Sequence, residues 1–595
     1  MHNPNSAVER IKNHLAYKLG QAMIEYNKNG GGYLTLFKKL YNIKKQHKKE
    51  KQIYQETIKV FPTLKYPELK QCPDYNEALK CYFHLSYMLG EALIKSYQSW
   101  YRGGGFKLYS YIKKANKEFK LFQDIFKEFD QINSNTIEGI ANNKQLFLKE
   151  FPKIKNLLNI HKDYQPIIDN IFHNFDYVIK KINLIEEWLL SNDFNEKYKK
   201  ENHPYPSLLD PKKLNDEKEE INYKSIPAEL AWEMNLPLPL KYKFIIISHH
   251  HTGTYALRVF LQHTCNTLIS GHFIWSENVI QKYIYAYNDL LDFKDDQNVV
   301  LLLKDYHREF FEKYISLIQK DVKALILTRD PIEILRSILN YGYVEKFFLT
   351  EDTDLNKITF LKYYSGRPDN YYVLENHYRS EFRGIFITNK IINKIKKYIN
   401  IEPYYIHTKD LTSENILTTM FKISEKFNIS FKESPILYMQ MESVMNHLFP
   451  MSLTLKKYNI NLEIIHELTY TDKQIVCKIN IENKLFKSNF KIVTKDLLRN
   501  KREIINCVKN FINKLNEKLN LECEKRINEN RCIEYFKINK NKALFLKKIL
   551  DEELIHIKRH RPDIVASWKY YQEFEKMCEE LDNESEIKQI ENNSN

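Results

Sequence analysis

Three patterns of apolar and polar positions follow one another along the chain. Up to about residue 192, apolar residues recur at i, i+3, i+4 and i+7, the spacing of amphipathic helices. From 241 to about 430, short and fully apolar runs alternate with helical patterns, which is typical of buried parallel strands in an α/β layer. The strands predicted in this region are 244–248, 299–303, 324–328 and 404–407.

After residue 430 the pattern favours strands at 467–471 and 475–481, and then basic helices up to about residue 583. The predicted parts are a helical module (1–195), a linker rich in Lys, Glu, Asn and Pro (196–240), a core (241–430), a β-hairpin with a helical extension (431–583) and a polar tail (584–595). The predicted fold class is α/β: a parallel sheet flanked by helices, between an all-α module and a mainly helical C-terminal extension.

The helical module contains a tandem repeat. The segment His-Leu-Ala-Tyr-Lys-Leu-Gly-Gln-Ala at 14–22 recurs 70 residues later, at 84–92, as His-Leu-Ser-Tyr-Met-Leu-Gly-Glu-Ala. Each copy is followed by three glycines and an aromatic residue, Tyr33 or Phe106, and then by a basic helical run. Two copies predict a small helical module rather than a long solenoid.

Composition narrows the class of protein. A chain of 595 residues is too long to fold around a single hydrophobic core, so we expect roughly two to four domains. Its low counts of glycine (14) and proline (18) favour long helices over an all-β fold. The formal charge of +15 suggests an acidic partner: nucleic acid, anionic lipid, an anionic donor or a polysaccharide. A coding bias towards Lys, Asn and Ile explains the same charge, so charge alone does not select the partner.

The eight cysteines are scattered and form no Cys-x-x-Cys pair, which argues against a zinc ribbon and against a disulfide framework. The N-terminal residues lack the apolar stretch of a signal peptide. No apolar run approaches the roughly 20 residues that span a bilayer. We therefore expect a cytoplasmic protein, with a peripheral position at the inner membrane surface as an open alternative.

Candidate chemistry first appears in the loop 249–255, between a strand and a helix. Backbone amides at the start of a helix form an anion site, and Gly253 would let a phosphate approach the backbone. The hydroxyls of Thr252 and Thr254 could donate hydrogen bonds, and His251 could add positive charge. The alternative is a plain turn with a threonine helix cap. The loop is not a Walker A motif, and three adjacent histidines on one turn rarely converge on a metal.

A second candidate follows the strand predicted at 324–328. Pro331 favours the first turn of a helix, which places Arg329 at the strand tip with a forked cation suited to phosphate. Ser337, about two turns along that helix, could add a hydroxyl. The alternative is an arginine and a serine on an ordinary helix surface.

These two motifs resemble those of the sulfotransferase family. The family's 5′-phosphosulfate loop is matched at Thr252, Gly253 and Thr254, with His251 in place of the usual cation. Its 3′-phosphate motif is matched by Arg329, Pro331 and Ser337 at the family's spacing. The donor-binding residues that the resemblance implies are His251, Thr252, Gly253, Thr254, Tyr255, Arg329 and Ser337.

Two further segments agree with this family over residues 241–430. The segment Lys304-Asp-Tyr-His307 is similar to a Lys-x-His segment of cytosolic sulfotransferases, although it is one residue longer. The segment 406–411 and the amphipathic helix after it resemble the strand and helix that close the family's core.

The glycine-linked repeat joined to such a core is similar to bacterial capsular sugar transferases that attach O-methyl phosphoramidate to polysaccharide. That resemblance implies a 3′-phosphocytidine 5′-diphosphoramidate donor and, as acceptor, a capsular polysaccharide or its sugar precursor. Phosphoramidate and sulfate are both small tetrahedral groups that leave a nucleotide phosphate. A carbohydrate sulfotransferase that uses 3′-phosphoadenosine 5′-phosphosulfate is the alternative enzyme.

For either donor we expect in-line attack by a sugar hydroxyl, with Lys304 and the 251–254 loop stabilising the leaving phosphate. His307 is the leading candidate for the general base, and His272 and His250 are the alternatives. Neither a metal nor a prosthetic group is required by this scheme.

Other roles stay open at this stage. The helical repeat could bind the acceptor, dock on capsule-assembly machinery at the inner membrane, or dimerise, and the sequence does not fix an oligomeric state. A non-catalytic polysaccharide-binding scaffold is the competing class of protein. Nucleic-acid binding rests on charge alone and is not expected.

Overall fold

The computed structural model divides the chain into two compact units, Met1–Leu236 and Pro237–Asn595. The described residues are 3–30, 32–99, 104–128, 134–142, 144–248, 250–270, 278–294, 296–303, 309–318, 321–363, 371, 374, 385–438, 448, 450–466, 473–482, 487–496 and 499–593.

The first unit is helical in its described part. Its α-helices are Ala7–Lys12, Leu15–Asn29, Tyr33–Val60, Tyr75–Lys80, Leu85–Gln98, Gly104–Glu128, Ser134–Asn142, Lys144–Ile160, Gln165–His173, Phe175–Lys180, Ile182–Leu189, Asn192–Phe194, Pro211–Leu214 and Ala228–Glu233. Short 3-10 or π turns occur at Pro62–Leu64, Leu69–Gln71, Cys81–Phe83, Asn195–Lys199 and Tyr223–Ser225.

The two copies of the repeat pack against each other through their glycines. A Cβ on Gly20 would lie 1.7 Å from the carbonyl oxygen of Ser86, and one on Gly90 would lie 1.6 Å from that of Ala16. These contacts are equivalent, since each joins a glycine of one copy to the residue four positions before the glycine of the other. The two helices therefore cross with their backbones in close contact, which only small residues permit.

The linker predicted over 196–240 is instead folded into the first unit as far as Leu236. Leu208, Leu209 and Trp232 are all buried there. The side chain of Asn170 donates to the carbonyl oxygens of Pro206 (2.8 Å) and Met234 (3.1 Å). The segment was predicted as a linker because most of its residues are polar, but the few apolar ones are buried and hold it in place.

The second unit contains the β-structure. Its strands are β1 (Tyr242–Ile247), β2 (Thr267–Ser270), β3 (Asn298–Leu303), β4 (Val322–Thr328), β5 (Gly342–Val344), β6 (Leu349–Thr350), β7 (Leu361–Tyr363), β8 (Ile401–His407), β9 (Met451–Leu455), β10 (Ile460–His466), β11 (Gln474–Glu482) and β12 (Lys487–Thr494). Its α-helices are Thr254–Cys265, Val279–Asp292, Phe311–Ser316, Pro331–Leu339, Thr388–Ile395, Ile416–Phe427, Lys501–Glu524, Glu529–Ile538, Lys540–Glu553, Ile555–His560, Pro562–Ala566 and Lys569–Asn593.

The core of this unit is a five-stranded parallel sheet of order β2-β3-β1-β4-β8. The predicted α/β class, a parallel sheet flanked by helices, is confirmed. Four of its strands overlap the apolar runs predicted from the sequence, whereas β2, Thr-Leu-Ile-Ser, was not predicted because only two of its residues are apolar. Every residue of β3 is buried, as expected for a strand covered on both faces.

The sheet brings the carboxyl ends of β1 and β4 together, because the two strands are hydrogen-bonded neighbours. The chain leaves β1 towards β2, on one side of the sheet, and leaves β4 towards β8, on the other. Ligands of open α/β sheets bind in the crevice at such a change of direction. The two predicted motifs lie at this edge.

A second sheet has the order β11-β12-β10-β9-β6 and is antiparallel except where β6 pairs with β9. The hairpin predicted in this region is therefore part of a larger sheet. The predicted strand 475–481 lies within β11, while 467–471 lies outside the described residues. The helix Lys501–Glu524 packs against this sheet through Ile504, Val508, Leu515 and other buried residues.

Three buried carboxylates tie the C-terminal extension to the rest of the second unit. Asp330 accepts hydrogen bonds from the amides of Tyr570 and Tyr571, and Glu553 accepts them from Thr388 and Asn389. Glu522 accepts them from Phe360 and Leu361.

The tail predicted from 584 is helical as far as Asn593. None of the helices in the described part of the chain combines the length and apolarity that a bilayer crossing requires.

Candidate functional site

The described part of the loop after β1 contains two residues in the left-handed conformation and leads directly into a helix. His251 (φ 67) and Gly253 (φ 90) both occupy the left-handed region of backbone space, and Gly253 caps the helix Thr254–Cys265. Turns of this kind at a helix start direct backbone amides into a concavity. A histidine in this conformation is strained by about 1–2 kcal/mol, and such strain is often found at functional sites.

The threonines of this loop are used differently from each other. Thr254 Oγ1 donates to Ser248 Oγ at 2.9 Å, so this hydroxyl closes the loop onto the end of β1. Thr252 is completely buried, and its side chain does not face solvent in this arrangement. Among the described residues of the loop, His250 is exposed and His251 is half-buried, and Tyr255, in the first turn of the helix, is 54% exposed.

Arg329 extends from the end of β4 towards this loop. Its Nη1 donates to the carbonyl oxygen of His251 at 3.0 Å, and its Nε donates to Glu333 Oε2 at 3.2 Å. The following helix, Pro331–Leu339, begins with a proline and is capped by Asp330, which accepts from the amide of Ile332 at 2.9 Å. This cap fixes the direction in which Arg329 leaves the strand.

Ser337 meets the same histidine from the second turn of that helix. Its Oγ lies 3.1 Å from His251 Nδ1, although the two residues are 86 positions apart in the chain. His251 therefore contacts two residues of the predicted 3′-phosphate motif, Arg329 through its carbonyl oxygen and Ser337 through its imidazole. The structure brings together the two motifs that the sequence placed on separate strands.

The turn after β8 contacts the loop after β1 and the end of β4 and holds them together. Thr408 Oγ1 lies 2.8 Å from the carbonyl oxygen of Thr252 and 3.0 Å from that of Thr328, so one hydroxyl proton is shared between β4 and the loop. A Cβ on Gly253 would lie 3.3 Å from both Leu411 Cδ1 and Thr408 Cγ2. The segment 406–411 was singled out in the sequence, but Thr408 itself was not.

A cavity of about 510 Å³ opens beside Arg329 and Ser337. Its wall carries the cationic side chains Arg329, Arg336, Arg526 and Lys362, together with three tyrosines, Tyr341, Tyr343 and Tyr363. Arg336 Nε lies 3.0 Å from Glu529 Oε1, so part of this positive charge is compensated within the protein. Cations and aromatic rings on one wall suit a ligand that has both a phosphate and a planar ring.

Arg526 reaches this wall from the C-terminal extension. The neighbouring Ile527 is held on both sides by Asn340, which donates to its carbonyl oxygen at 2.7 Å and accepts from its amide at 3.0 Å. Burial raises the pKa of the Tyr363 hydroxyl, and the adjacent Arg526 opposes that effect. No motif in the sequence identifies Arg526, because it lies among many other basic residues. The hydrogen bonds that hold its neighbour Ile527 come from Asn340, which is 187 positions earlier in the chain.

Two buried titratable groups stand behind the site. Burial raises the pKa of Asp330 to about 6, even though three backbone amides donate to its carboxylate. Burial lowers the pKa of His407, at the end of β8, to about 4. The neutral imidazole of His407 accepts from the amide of Lys409 through Nδ1 at 3.0 Å and so caps the turn that carries Thr408. Both groups position the backbone of the site.

Three of the predicted catalytic residues, Lys304, His307 and His272, lie outside the described residues. His250 is described and is exposed on the loop, with its ring 6.4 Å from that of His251. Among the described residues no group of three or more His, Cys, Asp or Glu side chains is arranged to hold a metal ion.

Comparison with known families covers the two ends of the chain. Residues 1–121 match a family described as "Domain of unknown function (DUF8374)", and residues 405–581 match one described as "Protein of unknown function (DUF2972)". The second match includes Thr408 and Arg526, whereas the loop after β1 and Arg329 lie outside both matches. No curated protein and no solved structure matches the chain significantly.

Proposed function

We propose that this protein is a nucleotide-dependent transferase that moves a phosphoramidate group from a 3′-phosphocytidine 5′-diphosphoramidate donor to a sugar hydroxyl of capsular polysaccharide. The observation that carries the proposal is the convergence of Arg329 and Ser337 on His251. A ligand with phosphates at both ends of one nucleoside would occupy two such neighbouring anion sites. The finer fold assignment, a sulfotransferase-like sheet, is part of the same proposal.

In this proposal the donor's 5′-diphosphoramidate lies over the turn at His251 and Gly253, where the helix Thr254–Cys265 begins. The 3′-phosphate is bound by the Arg329 guanidinium and the Ser337 hydroxyl, which exchange their contacts with His251 for contacts with the ligand. Arg526 adds charge from the far wall of the cavity. Both motifs lie at the carboxyl edge of the sheet, where the connections that leave β1 and β4 run to opposite sides, and this position supports the proposed orientation.

The reaction is an in-line displacement. The oxygen of the acceptor hydroxyl forms a bond to the phosphorus of the phosphoramidate group, and the bond from that phosphorus to the bridging oxygen breaks. The released nucleotide retains its 3′- and 5′-phosphates, and the negative charge that develops on the leaving oxygen is stabilised by the loop amides and by Lys304. A histidine accepts the proton of the hydroxyl. His250 lies on the loop itself, and His307 and His272 are the other candidates.

The full-length protein incubated with capsule oligosaccharide and this donor tests the proposal. We expect the acceptor to gain the mass of one phosphoramidate group, and the nucleotide product to carry both phosphates. A parallel incubation with 3′-phosphoadenosine 5′-phosphosulfate identifies a sulfotransferase if sulfate is transferred instead. Transfer from neither donor, with no binding of either nucleotide product, would identify a non-catalytic protein. Arg329→Ala tests whether transfer depends on this site, and it should reduce transfer with any active donor.

A further inference from the structure

The second helix of the repeat, Tyr33–Val60, has an unusual surface for a helix of 28 residues. None of its residues is buried, so it contributes little to the core of the first unit. The side that faces its neighbours carries only half-buried residues, among them Leu36, Leu40 and Ile43. The rest of the helix is open to solvent over almost eight turns.

Large apolar side chains are exposed at the start of this helix. Tyr33 is 75% exposed, Leu34 86%, Phe37 61% and Tyr41 66%. Positions 33, 37 and 41 are successive i, i+4 neighbours, and position 34 is adjacent to them on the helix surface. Neighbouring exposed apolar side chains of this kind are typical of surfaces that contact another molecule.

Positive charge continues the same surface towards the end of the helix. The helix contains eight lysines and two glutamates, an excess of six positive charges. One of the glutamates, Glu50, is already paired with Lys18 of the preceding helix at 3.2 Å. Lys48 and Lys51 follow Tyr41 and Phe37 at helical spacing, and both are exposed, as are Lys45 and Lys49.

We infer that this surface, defined by Tyr33, Leu34, Phe37, Tyr41, Lys45, Lys48, Lys49 and Lys51, binds the surface of a membrane that contains anionic lipids. Aromatic and leucine side chains insert between headgroups, and lysines beside them contact lipid phosphates, with their methylene chains on the apolar boundary. A second copy of the chain would bring two surfaces of the same positive charge together. The apolar cluster distinguishes this surface from a simple basic patch for nucleic acid.

The other copy of the repeat has the same feature at the same place. Its second helix, Gly104–Glu128, begins within a run of glycines and carries exposed aromatic residues in its first two turns, since Phe106 is 97% exposed and Tyr109 is 77% exposed. Each copy therefore presents an aromatic helix start.

Vesicle flotation of the full-length protein tests this inference independently of any transferase activity. The probes are vesicles of phosphatidylcholine alone and of phosphatidylcholine mixed with phosphatidylglycerol. We expect binding to the mixed vesicles only, and its loss as salt is raised to about 1 M, where the screening length falls to about 3 Å. Equal binding to both vesicle types, or no binding to either, would overturn the inference.

Two surface variants separate the apolar and the charged contributions. Leu34→Asp with Phe37→Asp should lower vesicle binding at least tenfold, and Lys45→Glu with Lys48→Glu and Lys49→Glu should lower it by about fivefold or more for each lysine. The matched control is Phe348→Asp, which changes a 97% exposed side chain in the second unit and should leave binding unchanged. If Leu34→Asp with Phe37→Asp instead converts an oligomer into a monomer and leaves vesicle binding intact, the surface is a contact between copies and the inference is wrong.

Discussion

Arg329 donates a hydrogen bond from Nη1 to the carbonyl oxygen of His251, 3.0 Å away and 78 positions earlier in the chain. The contact joins the end of β4 to the loop after β1, and it holds His251 in a left-handed conformation that a histidine rarely adopts. A phosphate that binds to Arg329 would therefore also influence the loop. The two anion sites of the proposed donor pocket are mechanically linked through this one carbonyl group.

Thr408 should control the position of the loop. Thr408→Val keeps the shape of the side chain but removes the hydroxyl shared by the carbonyl oxygens of Thr252 and Thr328. We expect the free energy of unfolding of the second unit to fall by about 1–2 kcal/mol. The dissociation constant of the nucleotide should rise as the loop loosens, which calorimetric titration would measure. Thr408→Ser retains the hydroxyl and should behave like the wild type; equal losses in both variants would contradict a role for the hydrogen bond.

Arg526 should contribute to nucleotide binding although it lies in the C-terminal extension. Arg526→Gln removes one of the cations on the cavity wall, and we expect about a tenfold weaker affinity for a nucleoside 3′,5′-bisphosphate. Lys525→Gln changes the net charge by the same amount at an exposed neighbouring position and is the control. Titration of both variants with the same nucleotide separates a local contact from a general effect of charge, since a general effect would weaken both equally.

The buried carboxylates Glu553 and Asp330 should destabilise the protein as pH rises between about 3.8 and 7, whereas buried histidines such as His407, whose pKa is lowered to about 4, act in the opposite direction. Burial raises the pKa of Glu553 to about 7 and that of Asp330 to about 6, above their ordinary values of 4.5 and 3.8. Between its ordinary and its raised pKa, each of these groups binds more protons in the folded protein than in the unfolded chain. This window runs from about 4.5 to 7 for Glu553 and from about 3.8 to 6 for Asp330, and within it the group lowers the free energy of unfolding by up to about 1.4 kcal/mol for each unit that the pH rises. The stabilising contribution is complete below the window and is lost above it.

Denaturant unfolding of the Glu553→Gln variant across this pH range measures the effect. The substitution removes the titrating group, so the free energy of unfolding of the variant, relative to that of the wild type, should rise as pH rises from about 4.5 to 7. Glu573→Gln, at an exposed position, should leave the slope unchanged. A slope that is the same in all three proteins would show that Glu553 does not titrate differently in the folded state.

The crossing of the repeat helices should not tolerate a side chain. Gly20→Ala would place a methyl group 1.7 Å from the carbonyl oxygen of Ser86, and we expect the first unit to lose about 3 kcal/mol or more of stability. Gly139→Ala is the matched control, because nothing lies within 4 Å of that position and alanine favours a helix by about 1 kcal/mol. Thermal unfolding should therefore shift in opposite directions for the two variants.

The sequence predicted the parallel sheet well because its strands carry a local signal. Four of them contain the predominantly apolar runs predicted at 244–248, 299–303, 324–328 and 404–407. The motifs after β1 and β4 also contain Gly253 and Pro331, whose effects on the backbone are local. No strand order was predicted from the sequence, so the pairing of β1 with β4 is seen only in the structure. The short strand β2 and the second sheet gave weaker signals, since their residues are interrupted by polar positions.

The residues that hold the two motifs of the candidate site in position were much harder to predict than the motifs themselves. Arg526, Asn340 and Glu553 act through partners more than 150 positions away, and each looks like an ordinary polar residue in its own segment. The buried carboxylate of Asp330 stands inside a recognised motif, but its two distant amide donors, Tyr570 and Tyr571, become visible only in three dimensions. Long-range hydrogen bonds of this kind leave no periodic pattern in a sequence.

Calorimetric titration with cytidine 3′,5′-bisphosphate and with cytidine 5′-monophosphate tests the central claim most directly. The wild type should bind the bisphosphate about 10- to 100-fold more tightly, since a charge-assisted contact to the 3′-phosphate is worth about 1.5–3 kcal/mol. Arg329→Ala should lose most of this preference, and Arg329→Lys should recover only part of it, because lysine lacks the forked geometry. Equal affinity of the wild type for the two nucleotides would contradict a site for a doubly phosphorylated nucleoside.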